Sequence, residues 1–312
     1  MKKISSLEEL NIVCKTSVAL GNFDGLHVGH RVIMEDAINT ARDKQLASLC
    51  FTFSNHPFNF IMQRNEGDPN ALKLICSEEE KIRLIEAMGF DILVNLPFDE
   101  HMMKMSADEF FNDFIVSKLN AGSVSVGFNY SYGARAVGNS DTLKMECKNA
   151  GINCNIHDAV KVDGTIVSST LIREMISIGN MELVAKYLGR TYTFKGKVTH
   201  GKKLGSAMGI PTVNIPAPID IMLPPNGVYF SRIEMDGREY KSVSNLGTRP
   251  TVDNTQKTKT IETNIFDFNG DAYEKEVTIY FDHFSRGEVK FNSKEELFAQ
   301  ISKDCENAKM YY

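Results

Sequence analysis

The chain has 312 residues, a length that predicts two domains at about 100 to 200 residues each. Hydrophobic residues make up 42% and charged residues 24%, a globular composition that excludes a largely disordered or fibrous chain. With 35 Lys+Arg against 40 Asp+Glu the formal net charge is -5. No global basic field therefore gathers nucleic acid or anionic lipid, and any phosphate must be held locally. No apolar run reaches the roughly 18 residues of a membrane span, and MKKISSLEEL has no hydrophobic stretch behind its lysines. A cytoplasmic protein is expected, with neither membrane nor nucleic acid as partner. The six cysteines form no CxxC and no zinc-type spacing with histidine, which predicts reduced thiols.

From residue 15 to about 180, short apolar runs alternate with segments of helical period, the pattern of βαβ units and a parallel sheet. The spacing predicts a strand at Thr16–Leu20, a helix over 28–42 with Ile33, Ala37 and Ala41 on one stripe, and a strand at Ala47–Phe53. Ser77 with Glu80, and Ser106 with Glu109, fit capping boxes for helices over about 78–88 and 107–119. Strands are expected near 91–95 and 123–127, and helices over 141–149, 169–178 and Met181–Leu188. After Gly189, β-branched and aromatic alternation takes over, with turn dipeptides at Asp236-Gly237 and Asn269-Gly270. Strands over 192–199, Gly227–Met235, 239–245, 260–268 and 276–281 suit a small antiparallel barrel. A helix over 294–307 carries Leu297, Ile301 and Cys305 as its packing stripe. The expected division is residues 1–186, doubly wound α/β, and residues 187–312, a β-barrel with a C-terminal helix.

Between the first strand and first helix stands ALGNFDGLHVGHR, where an open α/β sheet places its ligand. Gly21, Gly25 and Gly29 let backbone approach phosphate oxygens, and the helix N-terminus offers N–H groups. His27 and His30 lie three residues apart, so two imidazoles can hold one anion. A lone pair of this spacing is more often a metal pair or two surface histidines, and no third ligand is near in sequence.

The wider pattern is more specific. Asn22-Phe23-Asp24-Gly25 followed by His27 and His30 resembles the HxGH nucleotidyltransferases, in the form found in bacterial bifunctional riboflavin kinase/FMN adenylyltransferases. Thr52-Phe53-Ser54-Asn55-His56-Pro57 matches the family's TFxPHP segment with Asn55 in place of proline. Gly127-Phe128-Asn129-Tyr130-Ser131-Tyr132-Gly133 resembles its glycine–aromatic segment, and Val167-Ser168-Ser169-Thr170-Leu171-Ile172-Arg173 its ISSTxIR motif. The resemblance implies that Gly21, Asn22, Phe23, Asp24, His27 and His30 bind ATP. Ser168, Ser169, Thr170 and Arg173 would then stabilise leaving pyrophosphate, with Mg²⁺ sharing its charge. His56 and Asn129 would lie near the attacking FMN phosphate, with Phe58, Phe128, Tyr130 and Tyr132 as candidates to stack on the flavin. No activated Ser or Cys nucleophile is apparent, so a phosphate oxygen would attack the α-phosphorus of ATP directly.

The run from His200 to Asn214 is glycine-rich but is not a Walker A loop, because no Gly-Lys-Ser/Thr follows the glycines at that spacing. By composition alone it reads as a β-hairpin loop. Pro211-Thr212-Val213-Asn214 resembles the PTAN motif of riboflavin kinases, preceded by a glycine loop with Gly201, Gly205 and Gly209. The resemblance implies that this loop binds ATP, that Thr212 and Asn214 hold Mg²⁺-nucleotide, that Glu262 is the catalytic base and that Arg286 belongs to the flavin site. Ser206 and Gly287 depart from the residues common in relatives, as Asn55 does.

The leading expectation is a two-step enzyme making FMN from riboflavin and ATP, then FAD from FMN and ATP. A single-activity member, a flavin-sensing binding protein, and a nucleotidyltransferase with another acceptor are the alternatives.

Overall fold

The computed structural model describes residues 1–63, 68–199, 212–250 and 257–312. The chain divides into two compact units, Met1–Ser169 and Thr170–Tyr312.

The first unit is built on a six-stranded, wholly parallel sheet. Its spatial order is Lys2–Ile4, Ile92–Leu96, Ala47–Phe53, Thr16–Leu20, Ala121–Gly127, Asn153–His157. From Thr16–Leu20 the chain adds strands first on one side and then on the other, so the strand order reverses between Thr16–Leu20 and Ala121–Gly127. The crevice beyond their carboxyl ends is where such sheets take ligands.

Alternation along the strands sorts the side chains onto two cores. Ala19, Cys50 and Leu93 face helix Val28–Lys44, which contributes Ile33, Met34 and Ala37. Val18, Leu20, Phe51 and Val126 face the opposite layer with Phe110, Phe114 and Leu143. Each valine, leucine, isoleucine, methionine or phenylalanine among them contributes about 1.5–3 kcal/mol on burial. The helix expected over 107–119 keeps only Ala107–Glu109 as α-helix; Phe110–Lys118 is π-helical, which widens the turn as Phe110, Phe111, Phe114 and Ile115 are all buried. Ser106 and Glu109 close a complete capping box, whereas Ser77 caps Glu80 N and the Glu80 carboxylate turns to Arg83 instead.

The second unit is a six-stranded antiparallel sheet in the order Tyr192–Lys197, Glu276–Gly287, Gly227–Met235, Arg238–Pro250, Lys257–Ile265, Thr212–Pro216. Its two edges meet: Thr199 N donates to Asn214 O at 2.8 Å, forming an isolated bridge. A Cβ on Gly196 would stand 2.5 Å from Ile215 Cγ2, so glycine is what permits this closure. The barrel interior holds Tyr229, Ile233, Ile261, Ile279 and Phe281, all fully buried. Inside it Ser231, Ser242, Ser244 and Thr263 satisfy one another through hydroxyl hydrogen bonds of 2.8 Å.

Helix Lys294–Tyr311 starts at the Ser293 cap and packs Ala308 onto Val228, Phe230, Val243 and Phe266. The expected stripe of Leu297, Ile301 and Cys305 is only half-buried, and the deepest positions are Asp304 and Ala308. The cause is an ion pair: Asp304 turns inward to meet Arg286.

Candidate active sites

The first site forms at the reversal point of the parallel sheet. Leu20 ends its strand, and the chain turns through Phe23, Leu26 and Gly25, all at positive φ, before His27 opens helix Val28–Lys44 as its N-cap. Gly25 sits at φ 80°, and a Cβ there would lie 2.7 Å from Ile75 Cγ2, so this turn admits only glycine.

Three of the four motifs named from the sequence meet here. Thr52 Oγ1 donates to Asn22 O at 3.0 Å, and Ser169 Oγ donates to Asp24 O at 3.1 Å. Asp24 is buried and accepts from Ile75 N at 3.0 Å. Phe128 N donates to His157 O, which fixes the start of the glycine–aromatic segment at the end of the neighbouring strand. Ser168 lies one residue before helix Ser169–Ser177; Thr170 and Arg173 lie on that helix, past the division between the two units.

The imidazoles of His27 and His30 stack, with centroids 3.5 Å apart and planes inclined by 20°. His27 Nδ1 accepts from His30 N at 3.3 Å, so the neutral ring carries its proton on Nε2. Burial, reinforced by the neighbouring His27, holds His30 well below the ordinary histidine pKa. Its Nδ1 is buried with no hydrogen-bond partner among the described residues, a polar atom that an ordered water or a polar ligand can satisfy.

His56 is the N-cap of helix Pro57–Ile61 and accepts from Phe58 N at 3.2 Å through Nδ1. Asn55, in the family's proline position, is held by reciprocal bonds with Phe98: its Nδ2 donates to Phe98 O at 3.0 Å and Phe98 N donates to its Oδ1 at 2.7 Å. Those two bonds supply the local rigidity that a proline ring gives. Phe58 and Phe128 are exposed, whereas Tyr130 is half-buried and stacks on the buried Tyr132. Burial raises the Tyr130 hydroxyl far above the usual tyrosine range.

In the second unit, register brings the named residues together. Asn214 stands directly opposite Glu262, and Glu262 directly opposite Asn245, so the three form a row across three neighbouring strands. Directly paired antiparallel residues share a face. Thr212 stands opposite Asn264. Gly201, Gly205, Ser206, Gly209 and Pro211 lie outside the described residues.

Arg286 is held by Asp304 in a two-point ion pair, Nε to Oδ1 at 3.0 Å and Nη2 to Oδ2 at 2.6 Å, while Gln300 Nε2 also donates to Asp304 Oδ1 at 2.8 Å. Sequence reading named Arg286 but not Asp304, which lies 18 residues away on a helix whose hydrophobic pattern points elsewhere. Asn245 has no assigned role in the sequence, and only the strand register reveals its place beside Glu262.

A family model described as FAD synthetase matches residues 10–171, and one described as riboflavin kinase matches residues 188–312. Together they define a two-part transferase, a nucleotidyltransferase fused to a kinase. A bifunctional riboflavin kinase/FMN adenylyltransferase of Bacillus subtilis (strain 168) is 33% identical over 96% of this chain and 93% of its own length. One of Haemophilus influenzae is 30% identical over 100% of this chain and 99% of its own. The chain belongs to the bifunctional riboflavin kinase/FMN adenylyltransferase family. A crystal structure described as a macrolide-efflux protein from Streptococcus pneumoniae superposes with a TM-score of 0.88 at 29% identity, covering 98% of both chains. Among the described residues of this chain, no helix is long and apolar enough to cross a membrane.

Proposed function

We propose that this chain makes FMN from riboflavin and ATP with residues 187–312, and FAD from FMN and a second ATP with residues 1–186. The observation that carries the reading is the presence of both family matches on one chain; that pairing favours two activities over a single-activity member or a flavin sensor. The functional boundary after residue 186 keeps Ser168 to Arg173 with the adenylyl site, where their chemistry belongs.

In FMN formation the riboflavin 5′-hydroxyl attacks the γ-phosphorus of ATP and must lose its proton. Glu262 accepts it, with Asn214 and Asn245 flanking the carboxylate in register. Thr212 and Asn214 are hard oxygen donors that fit Mg²⁺ together with nucleotide phosphates. When bound, that ion neutralises phosphate charge. The glycine loop at Gly201, Gly205 and Gly209 would wrap the nucleotide.

In FAD formation a phosphate oxygen of FMN attacks the α-phosphorus of ATP, and pyrophosphate leaves. The protein positions and neutralises. Gly21, Asn22, Phe23 and Asp24 shape the turn around the triphosphate, and His27 and His30 hold it as neutral N–H donors. Ser168, Ser169, Thr170 and Arg173 stabilise the leaving group, and Mg²⁺ fits this charge as well. His56 and Asn129 orient the FMN phosphate, and Phe128 offers an exposed ring to the flavin. Tyr130, half-buried, supports that segment by packing against the core. Arg286 acts on the flavin site through the helix it anchors. Reduced cysteines suit a cytoplasmic location.

Purified protein incubated with Mg²⁺-ATP and either riboflavin or FMN, with flavins resolved by chromatography, tests the reading. Riboflavin converting to FMN and then FAD is expected. Flavin bound without ATP-dependent product would overturn it.

A further inference from the structure

Helix Glu78–Ala87 carries an ammonium where two effects oppose one. Lys81 closes the first turn, near the positive end of the helix dipole. It is only 8% exposed, so the charge is also desolvated. A local rule broken twice at one position points to a functional requirement.

The surroundings of Lys81 supply that requirement. Its Nζ donates to Phe53 O, the last carbonyl of the strand that leads into Ser54, Asn55 and His56. It lines a cavity of about 20 Å³ with Asn22, Asp24, Ser54, His56 and Glu78, room for one water. The cavity is thus walled by both loops of the adenylyl site, the Gly21–Asp24 turn and the His56 turn. Glu78 is itself fixed, accepting from Asn95 Nδ2 at 2.6 Å.

We propose that Lys81 is a positioning residue for FAD formation: its buried ammonium joins the Phe53 carbonyl to the Asp24 side of the cavity and so sets the spacing between the two loops. This rests on the adenylyl-site reading above. Lys81 acts through the backbone of the His56 turn and through Asp24 and is assigned no contact with substrate.

Burial lowers the Lys81 pKa from the ordinary lysine value, against the opposing pull of Cys76, Asp24, Cys50 and Glu78, the titratable groups around it. Its charge is therefore lost at lower pH than that of a surface lysine.

The test compares the full chain with Lys81→Met and Lys81→Arg. Because misplacement of about 1 Å costs up to about a hundredfold in rate, Lys81→Met should lower kcat for FAD formation from FMN at least about tenfold. The rate of FMN formation from riboflavin should stay near that of the unaltered protein. The unaltered protein should lose FAD-forming kcat with a midpoint below about pH 10.4, the usual lysine value; Lys81→Met should lack that limb, and Lys81→Arg should restore part of the rate and carry its charge to higher pH. A folded Lys81→Met with the kcat and pH profile of the unaltered protein overturns the assignment. If Lys81→Met does not fold, an alkaline profile that Lys81→Arg leaves unchanged overturns it equally. No FAD from FMN in the unaltered protein defeats the adenylyl reading instead.

Discussion

His27 and His30 stack face to face, 3.5 Å between centroids, and one of them has a buried nitrogen with no partner among the described residues. Two imidazolium rings at that distance would repel strongly. The free pair is therefore neutral at His30, and under the proposed function it takes up a proton only when phosphate charge arrives beside it. ATP binding near pH 6 should be accompanied by proton uptake, read by calorimetry in buffers of different ionisation enthalpy. Binding heats that do not vary with the buffer would count against it.

The same burial ties folding to pH. His30 has its pKa depressed in the folded state, so below about pH 6.5 the unfolded chain binds a proton that the folded chain refuses. Stability is then fully present above that pH and is lost as the pH falls toward the folded-state value, at no more than about 1.4 kcal/mol per pH unit. Thermal melts between pH 7 and pH 5 should show a shallower decline for His30→Gln than for the unaltered chain.

Gly25 and Gly89 both sit at positive φ, 80° and 88°, but only Gly25 has a side chain against it. Gly89→Ala should cost about 1–2 kcal/mol from backbone conformation alone. Gly25→Ala adds the collision with Ile75 and should cost a further 1–3 kcal/mol, roughly the penalty of overpacking. It should also impair FAD formation, since the turn it distorts carries Asp24 and His27. Equal costs in denaturant melts would show that the turn relaxes freely.

Arg286 and Asp304 tie the C-terminal helix to the barrel, with the Asp304 side chain 5% exposed and that of Arg286 23% exposed. Asp304→Ala leaves a largely buried guanidinium without its partner and should destabilise this unit by about 3 kcal/mol. FMN formation should fall while FAD formation from supplied FMN persists. An unchanged melting temperature would contradict the anchoring role.

The sequence made the architecture legible wherever pattern was local. The apolar run Thr16–Leu20, the stripe of Ile33, Ala37 and Ala41, and the Ser106–Glu109 box each announce an element in a single window. Elements stabilised by distant partners were silent. Lys2–Ile4 is three residues with two lysines, made a strand by pairing with Ile92–Leu96. Asn153–His157 is mostly polar, and Asn155 and His157 bring its side chains to Asp36, which Asn155 Nδ2 reaches at 2.8 Å. The site followed the same division. His27, His30, Asn214 and Glu262 stand in motifs, whereas Lys81 and Asp304 owe their places to folding and carry no signature in their own neighbourhoods.

Two separable active sites on one chain are the central claim, and crossed single substitutions test it most directly. With chromatography of products from riboflavin and from FMN, Glu262→Ala should make no FMN yet still convert supplied FMN to FAD. His30→Ala should do the reverse, accumulating FMN and forming no FAD. Equal loss of both activities in either variant, or FAD formation by His30→Ala at the unaltered rate, would contradict the account.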